Sequence, residues 1–175
     1  MIAATLVWML VASNSDIAGL PPALSTAFRA DLAQEFADLD QCLRERQQPY
    51  QSALRVSRVQ LSSTSGPTIL IEGLGPCLAG ANNGPHWVYL KTPDGWHQIL
   101  SSSGFRFVPL SLCHNAFADV AVWGHSSAYE SIRTVYAFTA GRYRPSSCQV
   151  VTHGGTEGWF KQPVYRPCTF DWRHD

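Results

Sequence analysis

The hydrophobic pattern of the chain changes its period at Pro49, and this change limits the possible folds more than any other feature. Before Pro49, six large apolar residues recur three or four positions apart: Leu24, Phe28, Leu32, Phe36, Leu39 and Leu43. This spacing places one apolar stripe on a helix, and it predicts a single N-terminal amphipathic helix over residues 23–47. After Pro49, apolar and polar residues alternate in short runs bounded by Gly, Pro and Asn, which is typical of β-strands.

The β-rich part of the chain divides into two similar units, at about residues 55–101 and 104–150. Each unit contains a strand, a loop, a strand, a long loop, and then two strands joined by a tight turn. Corresponding residues are offset by 46 to 51 positions, as for the pair Leu61 and Leu110. A four-strand unit of this length resembles a propeller blade, but two units cannot close a propeller, which needs about four or more.

The predicted fold class is therefore α+β. The helix would pack on a twisted antiparallel sheet or half-barrel made of the two four-strand units. A length of 175 residues suits one globular domain, predicted over residues 20–175. Residues 151–175 form an aromatic tail that is predicted to wrap across the domain.

The N-terminus, residues 1–19, predicts a signal or leader segment, because an apolar run from Ile2 to Ala12 precedes small residues. The run is shorter than the ~20 residues that a transmembrane helix needs. No Lys or Arg precedes Arg29, so the basic start of a signal peptide is missing, and a buried N-terminal helix is the alternative. With the signal, the protein is predicted to be periplasmic or extracellular, without a transmembrane span after processing.

The five cysteines fit an oxidising compartment. They are widely spaced and form no C-x-x-C motif, which argues against zinc ligation. Cys148 and Cys168 are the predicted disulfide, because this bridge would tie the C-terminal tail to the last strand. A second bridge could join two of Cys42, Cys77 and Cys113, and at least one thiol must stay unpaired. In a cytosolic protein, all five would instead serve as small buried apolar residues.

Short motifs in residues 56–148 follow one another in a characteristic order. In the first unit they are Cys77, Gly80, Trp87-Val88-Tyr89 and Asp94-Gly95-Trp96. In the second unit they are Asn115 to Val122, His125-Ser126-Ser127-Ala128, Val135-Tyr136-Ala137-Phe138, Gly141 and Tyr143. Together they resemble a pattern of uncharacterised exported bacterial proteins, which is distantly similar to FG-GAP-like extracellular β repeats. An acidic loop can hold calcium in such repeats, but residues 62–67 contain no carboxylate, so no calcium site is implied there.

Candidates for catalysis are few. His125 with Ser126 or Asp119 would provide the base and nucleophile of a small secreted hydrolase. No G-x-S-x-G motif surrounds Ser126, and the ordinary role of these side chains is hydrogen bonding within a loop. The six histidines lack H-x-H or H-x-x-x-H spacing, so no metal is predicted. No phosphate-binding or dinucleotide motif is present, and no cofactor is predicted.

Candidates for binding come from the hairpins and long loops. Lys and Arg number 13, as do Asp and Glu, so the charge balance gives no footprint for nucleic acid. His86, Trp87, Trp96 and His125 are the candidate binding residues for a protein or carbohydrate ligand, although most aromatic residues are expected in the core. The long loops at residues 73–87 and 124–131 are predicted to lie at one end of the domain. The predicted function is an exported non-catalytic binding or interaction domain; the alternatives are the hydrolase and a structural envelope protein.

Overall fold

The computed structural model describes residues 17, 19–80, 82–153 and 163–169, which form two α-helices, a short 3-10 helix and nine β-strands. The helices are α1 (Pro22–Asp31), α2 (Ala33–Arg46) and the 3-10 helix (Tyr50–Ser52). The first four strands are β1 (Leu54–Val59), β2 (Thr68–Gly73), β3 (Gly84–Thr92) and β4 (Gly95–Gly104). The others are β5 (Arg106–His114), β6 (Phe117–His125), β7 (Glu130–Thr139), β8 (Arg142–Thr152) and β9 (Val164–Pro167). The predicted leader lies outside the described residues except for Ile17 and Gly19.

The strands form two antiparallel sheets, and within each sheet the paired strands follow one another directly along the chain. One sheet has the order β1-β2-β3-β4, and the other has the order β5-β6-β7-β8-β9. The broad α+β prediction is confirmed by these sheets together with the helices. The finer prediction of one shared sheet or half-barrel is wrong, because each four-strand unit forms a sheet of its own. The second sheet also gains a fifth strand, β9, from the C-terminal tail.

The helical region consists of two helices rather than the single helix predicted over residues 23–47. Leu32 interrupts it, with φ −123° and ψ 38°, outside the helical region of backbone space. Its side chain is nevertheless buried, and its carbonyl accepts the Phe36 N–H at 2.8 Å, so α2 starts immediately. All six apolar residues of the predicted stripe are buried on both sides of this break.

The molecule has three layers, with the helices on one face of the first sheet and the second sheet on its other face. The helix-side core contains Ile69, Ile71, Trp87 and Tyr89 together with the helical stripe. The inter-sheet core contains Leu61, Leu70, Val88, Ile99 and Leu100 from the first sheet, and Phe117, Val120, Val122, Tyr136, Phe138 and Tyr143 from the second. Because both faces of β2 and β3 are covered, these strands carry continuous apolar runs rather than an alternating pattern.

Two disulfides connect distant parts of the chain. Cys148 is bonded to Cys168, as predicted, and this bridge holds the end of β9 against β8. The second bridge joins Cys42 on α2 to Cys77 in the loop after β2, a choice that the sequence left open. Cys113 is the free cysteine, and it is exposed on β5.

The hairpin between β5 and β6 turns through two residues, Asn115 and Ala116, which both have positive φ values of 52° and 63°. A two-residue hairpin of this kind favours Gly at its second position, because Ala in the left-handed region costs about 1 kcal/mol. We expect Ala116→Gly to raise the free energy of unfolding by roughly 0.5 kcal/mol, since the greater freedom of the unfolded chain offsets part of the gain. Thermal and urea unfolding would measure it. The matched change Ala118→Gly, in β6, should destabilise the protein; stabilisation by both would contradict the turn argument.

Candidate functional site

A cleft opens between the two sheets and has a volume of about 290 Å³. We call it the inter-sheet cleft. The residues that line it are Asn83, Ser101, Ser102, Ser103, Val122, Gly124, His125, Ile132, Thr134 and Tyr136. The volume corresponds to roughly ten water molecules at liquid density, which is enough for one sugar unit. The polar side chains of the lining residues carry hydroxyl, amide or imidazole groups. None of the described lining residues is Asp, Glu, Lys or Arg.

The cleft exists because β4 changes from large to small residues as it leaves the inter-sheet core. Ile99 and Leu100 fill the space between the sheets, whereas Ser102, the next residue of β4 on this face after Leu100, has a small side chain that leaves it open. Gly104 then brings β4 against β6: a Cβ atom there would lie 2.7 Å from Val122 Cγ1 and closer still to the Trp123 carbonyl oxygen. Gly124, across the cleft, also contributes no side chain.

The two long loops meet at one end of the cleft. The Asn83 side chain donates a hydrogen bond to the His125 carbonyl oxygen at 2.9 Å and accepts one from the His125 N–H at 2.8 Å. The ring of His125 stacks on the ring of Phe105, with centroids 4.0 Å apart. These contacts fix the backbone and the side chain of His125 at the rim, so the structure brings together the two loops that the sequence indicated.

A polar row crosses the first sheet beside the cleft. Arg55 faces Glu72 on the neighbouring strand, Glu72 faces His86, and His86 faces Ser102. Glu72 lies 3.7 Å from both neighbours, measured from Oε2 to Arg55 Nη1 and from Oε1 to His86 Nε2. Facing residues of adjacent strands lie on the same side of a sheet, which here is the side of Leu70, Val88 and the second sheet.

Among the described residues, His86 is the histidine with a clearly shifted pKa. Its side chain is 3% exposed, and the Phe107 ring of β5 lies 6.1 Å from its ring centroid. Burial lowers its pKa from 6.5 to about 4, because removing the charged imidazolium from water is unfavourable. His86 is therefore neutral at pH 7. It lines a second cavity of about 200 Å³, together with Arg55, Glu72 and Phe105.

Of the candidate catalytic residues, Asp119 lies apart from His125 and Ser126. Asp119 is near the start of β6 and is 1% exposed, and its Oδ1 contacts His114 Nδ1 at 2.7 Å. His125 is at the opposite end of the same strand, roughly 20 Å away at 3.3 Å per residue. Ser126 is exposed in the turn after β6, where its N–H donates to the Glu130 carbonyl oxygen at 3.0 Å. The partner of Asp119 is thus a histidine that the sequence did not single out.

The candidate binding residues divide between two sides of the first sheet. Trp87 is 5% exposed in the helix-side core, where its ring lies 5.1 Å from that of Phe28, so it is not open to a ligand. Trp96 is half-buried against the same core, with Lys91 Nζ 5.8 Å from its ring centroid. His86 and His125 line the cavities between the sheets. The four residues therefore do not form one aromatic patch.

Sequence reasoning missed the serines of β4 as site residues. Their only local signal is that Ser101-Ser102-Ser103 directly follows the apolar pair Ile99-Leu100. Which of the three faces the second sheet depends on the register with β3, and a β-bulge between Val88 and Tyr89 shifts that register. That Glu72, His86 and Ser102 lie side by side can likewise be seen only when the pairing of β2, β3 and β4 is known.

Among the described residues, no group of His, Cys, Asp or Glu side chains is arranged to hold a metal ion. Neither α1 nor α2 is long and apolar enough to cross a membrane. Comparison of the chain with protein-family models, curated proteins and solved structures finds no match in any of the three. The resemblance to exported bacterial proteins therefore stays a prediction, and the inter-sheet cleft has to be interpreted from its own chemistry.

Proposed function

We propose that the protein is a non-catalytic binding domain whose inter-sheet cleft takes a neutral, hydroxyl-rich ligand such as one unit of a carbohydrate. The observation that carries this proposal is the lining of the cleft, in which Ser102, Thr134 and Tyr136 have hydroxyls on the facing sides of the two sheets and no described residue is charged. Ser102 Oγ is buried and has no hydrogen-bond partner among those residues. A buried hydroxyl without a partner is unfavourable, and a ligand that supplies the partner would gain from it.

The location of the protein forms part of the same proposal. Disulfides form and persist in oxidising compartments, and the described residues contain two of them. These bridges support an exported protein, periplasmic or extracellular, where free and polymeric sugars are available. The proposed leader over residues 1–19 would direct this export.

The test is a calorimetric titration with glucose, galactose, mannose and N-acetylglucosamine, with glucosamine and glucuronic acid as charged counterparts. At least one neutral sugar should bind, with a dissociation constant on the order of millimolar, as expected for a ligand of this size. The charged counterparts should bind more weakly, because the cleft has no opposite charge to replace their hydration.

A cleft-filling variant provides the matched control. A Cβ atom on Gly124 would be in ordinary contact, 3.7 Å from Asn83 Oδ1, so Gly124→Val should fold and place its methyl groups in the cleft. We expect this variant to lose sugar binding, while Ser111→Val, on the exposed part of β5, keeps it. Equal binding by both variants, or no saturable binding of any neutral sugar to the wild type, contradicts the proposal and favours a structural role.

A further inference from the structure

Two buried side-chain atoms lack a hydrogen-bond partner among the described residues, and they are His86 Nδ1 and Ser102 Oγ. They belong to residues that face each other on β3 and β4. The Cβ atoms of such facing residues lie about 5 Å apart, so one small group can reach both side chains. Buried polar atoms are nearly always hydrogen-bonded in folded proteins. Two neighbouring exceptions on one face of a sheet therefore indicate a place that an external group occupies.

Glu72 determines which hydrogen-bonding role His86 presents to this place. Its carboxylate lies 3.7 Å from Nε2 and can only accept hydrogen bonds, so it favours the tautomer with the proton on Nε2. Arg55, 3.7 Å away on the other side, keeps Glu72 beside a positive charge. In this tautomer the unpartnered Nδ1 carries a lone pair and is an acceptor.

We propose that His86 Nδ1 and Ser102 Oγ together bind a single hydroxyl group, which the ligand extends from the inter-sheet cleft, lined by Ser102, towards the second cavity, lined by His86. This inference rests on the proposed function and specifies the chemistry of its ligand. The ligand hydroxyl donates its hydrogen to Nδ1 and accepts the hydrogen of the Ser102 hydroxyl, which satisfies both buried atoms at once.

Other polar groups fit the pair less well. A carbonyl or carboxylate oxygen cannot donate to Nδ1, so it would leave the imidazole without a partner. An ammonium group can donate to both atoms, but it cannot accept the hydrogen of the Ser102 hydroxyl, which would stay without a partner. A hydroxyl is both donor and acceptor, and it carries no charge. The pair therefore selects alcohols and sugars over acids and amines.

A double-mutant cycle in sugar binding tests whether one ligand hydroxyl contacts both His86 and Ser102, an arrangement that we call the hydroxyl bridge. His86→Phe keeps a ring against Phe107 and removes Nδ1, and Ser102→Ala removes Oγ. Each change should weaken binding of the best neutral sugar about three- to tenfold. If one hydroxyl contacts both residues, the double variant should bind at least about threefold more tightly than the product of the two single effects predicts. Circular dichroism and thermal unfolding check that each variant is folded.

A second measurement uses the wild-type protein and does not depend on the variants. The side-chain nitrogen resonances of His86 should show an unprotonated Nδ1 at pH 7, and that resonance should shift as the sugar saturates the site. Two results would overturn the hydroxyl bridge and leave the proposed function standing. In the first, Gly124→Val abolishes sugar binding, but the sugar does not shift the Nδ1 resonance of the wild type. In the second, His86→Phe binds the sugar as tightly as the wild type. If no neutral sugar binds the wild type, the proposed function is wrong, and the hydroxyl bridge that rests on it is wrong as well.

Discussion

Replacement of both Cys42 and Cys77 by serine should lower the free energy of unfolding by about 4 kcal/mol. The bridge spans 35 residues, and it joins α2 to the loop that follows β2. In the chain-entropy model, a cross-link of this span removes conformational freedom from the unfolded chain, and the loss increases with the logarithm of the span. Cys77 also packs against the helix-side core, so the substitution affects both the unfolded and the folded states.

Urea unfolding monitored by tryptophan fluorescence would measure the loss, with the reduced wild type as a second comparison. Cys113→Ser is the matched control, because Cys113 is exposed and unpaired and its replacement should change stability by less than about 0.5 kcal/mol. A double serine variant as stable as the wild type would show that the bridge does not hold α2 in place. A large effect of Cys113→Ser would instead point to a role for this thiol in the folded protein.

The helical stripe shows how far the sequence predicts packing. The spacing of Leu24, Phe28, Leu32 and the later members identifies residues that the structure buries. The same spacing hides the break between α1 and α2, because Leu32 belongs to the stripe and lies at the break. The spacing of apolar residues shows which residues share a face of the helical region. It does not show a local change in backbone angles at one buried position, because the spacing is the same with and without that change.

The division into two sheets could not be predicted for a related reason. The apolar run of β2, from Ile69 to Ile71, is typical of a strand covered on both faces, but it does not identify the covering layers. Those layers depend on the step from β4 to β5, where Gly104 allows the chain to approach Trp123 of the second sheet. The Phe105 N–H donates to the Trp123 carbonyl oxygen at 2.7 Å, and this contact belongs to the assembled fold.

The candidate site was predictable only in its position. The two long loops indicated the end of the domain where Asn83 now holds His125, although Asn83 itself was not identified. The polar row beside the cleft combines Arg55, Glu72, His86 and Ser102, which come from four different strands. Each member looks like an ordinary strand residue in the sequence, and only the register of three strand pairs places them in line.

Acidification should destabilise the protein through His86, by about 3 kcal/mol between pH 6.5 and pH 4. The pKa of His86 falls from 6.5 to about 4 in the folded protein because burial disfavours the imidazolium. Between these two values the unfolded chain binds a proton that the folded protein does not, so stability decreases as the pH falls. Below about pH 4 both states are protonated at this residue, and its contribution becomes constant.

Glu72 and, beyond it, Arg55 are the charged groups that face His86 across the first sheet, and Phe107 covers the ring from the second. The carboxylate favours the protonated ring, so the lowered pKa means that burial outweighs it. The measurement is the difference in unfolding free energy between the wild type and His86→Gln as a function of pH, since other titrating groups cancel in it. His97→Gln, at the exposed turn between β3 and β4, is the control. If the difference in unfolding free energy between the wild type and His86→Gln stays constant from pH 7 to pH 4, folding does not lower the pKa of His86, which would contradict the burial of its ring.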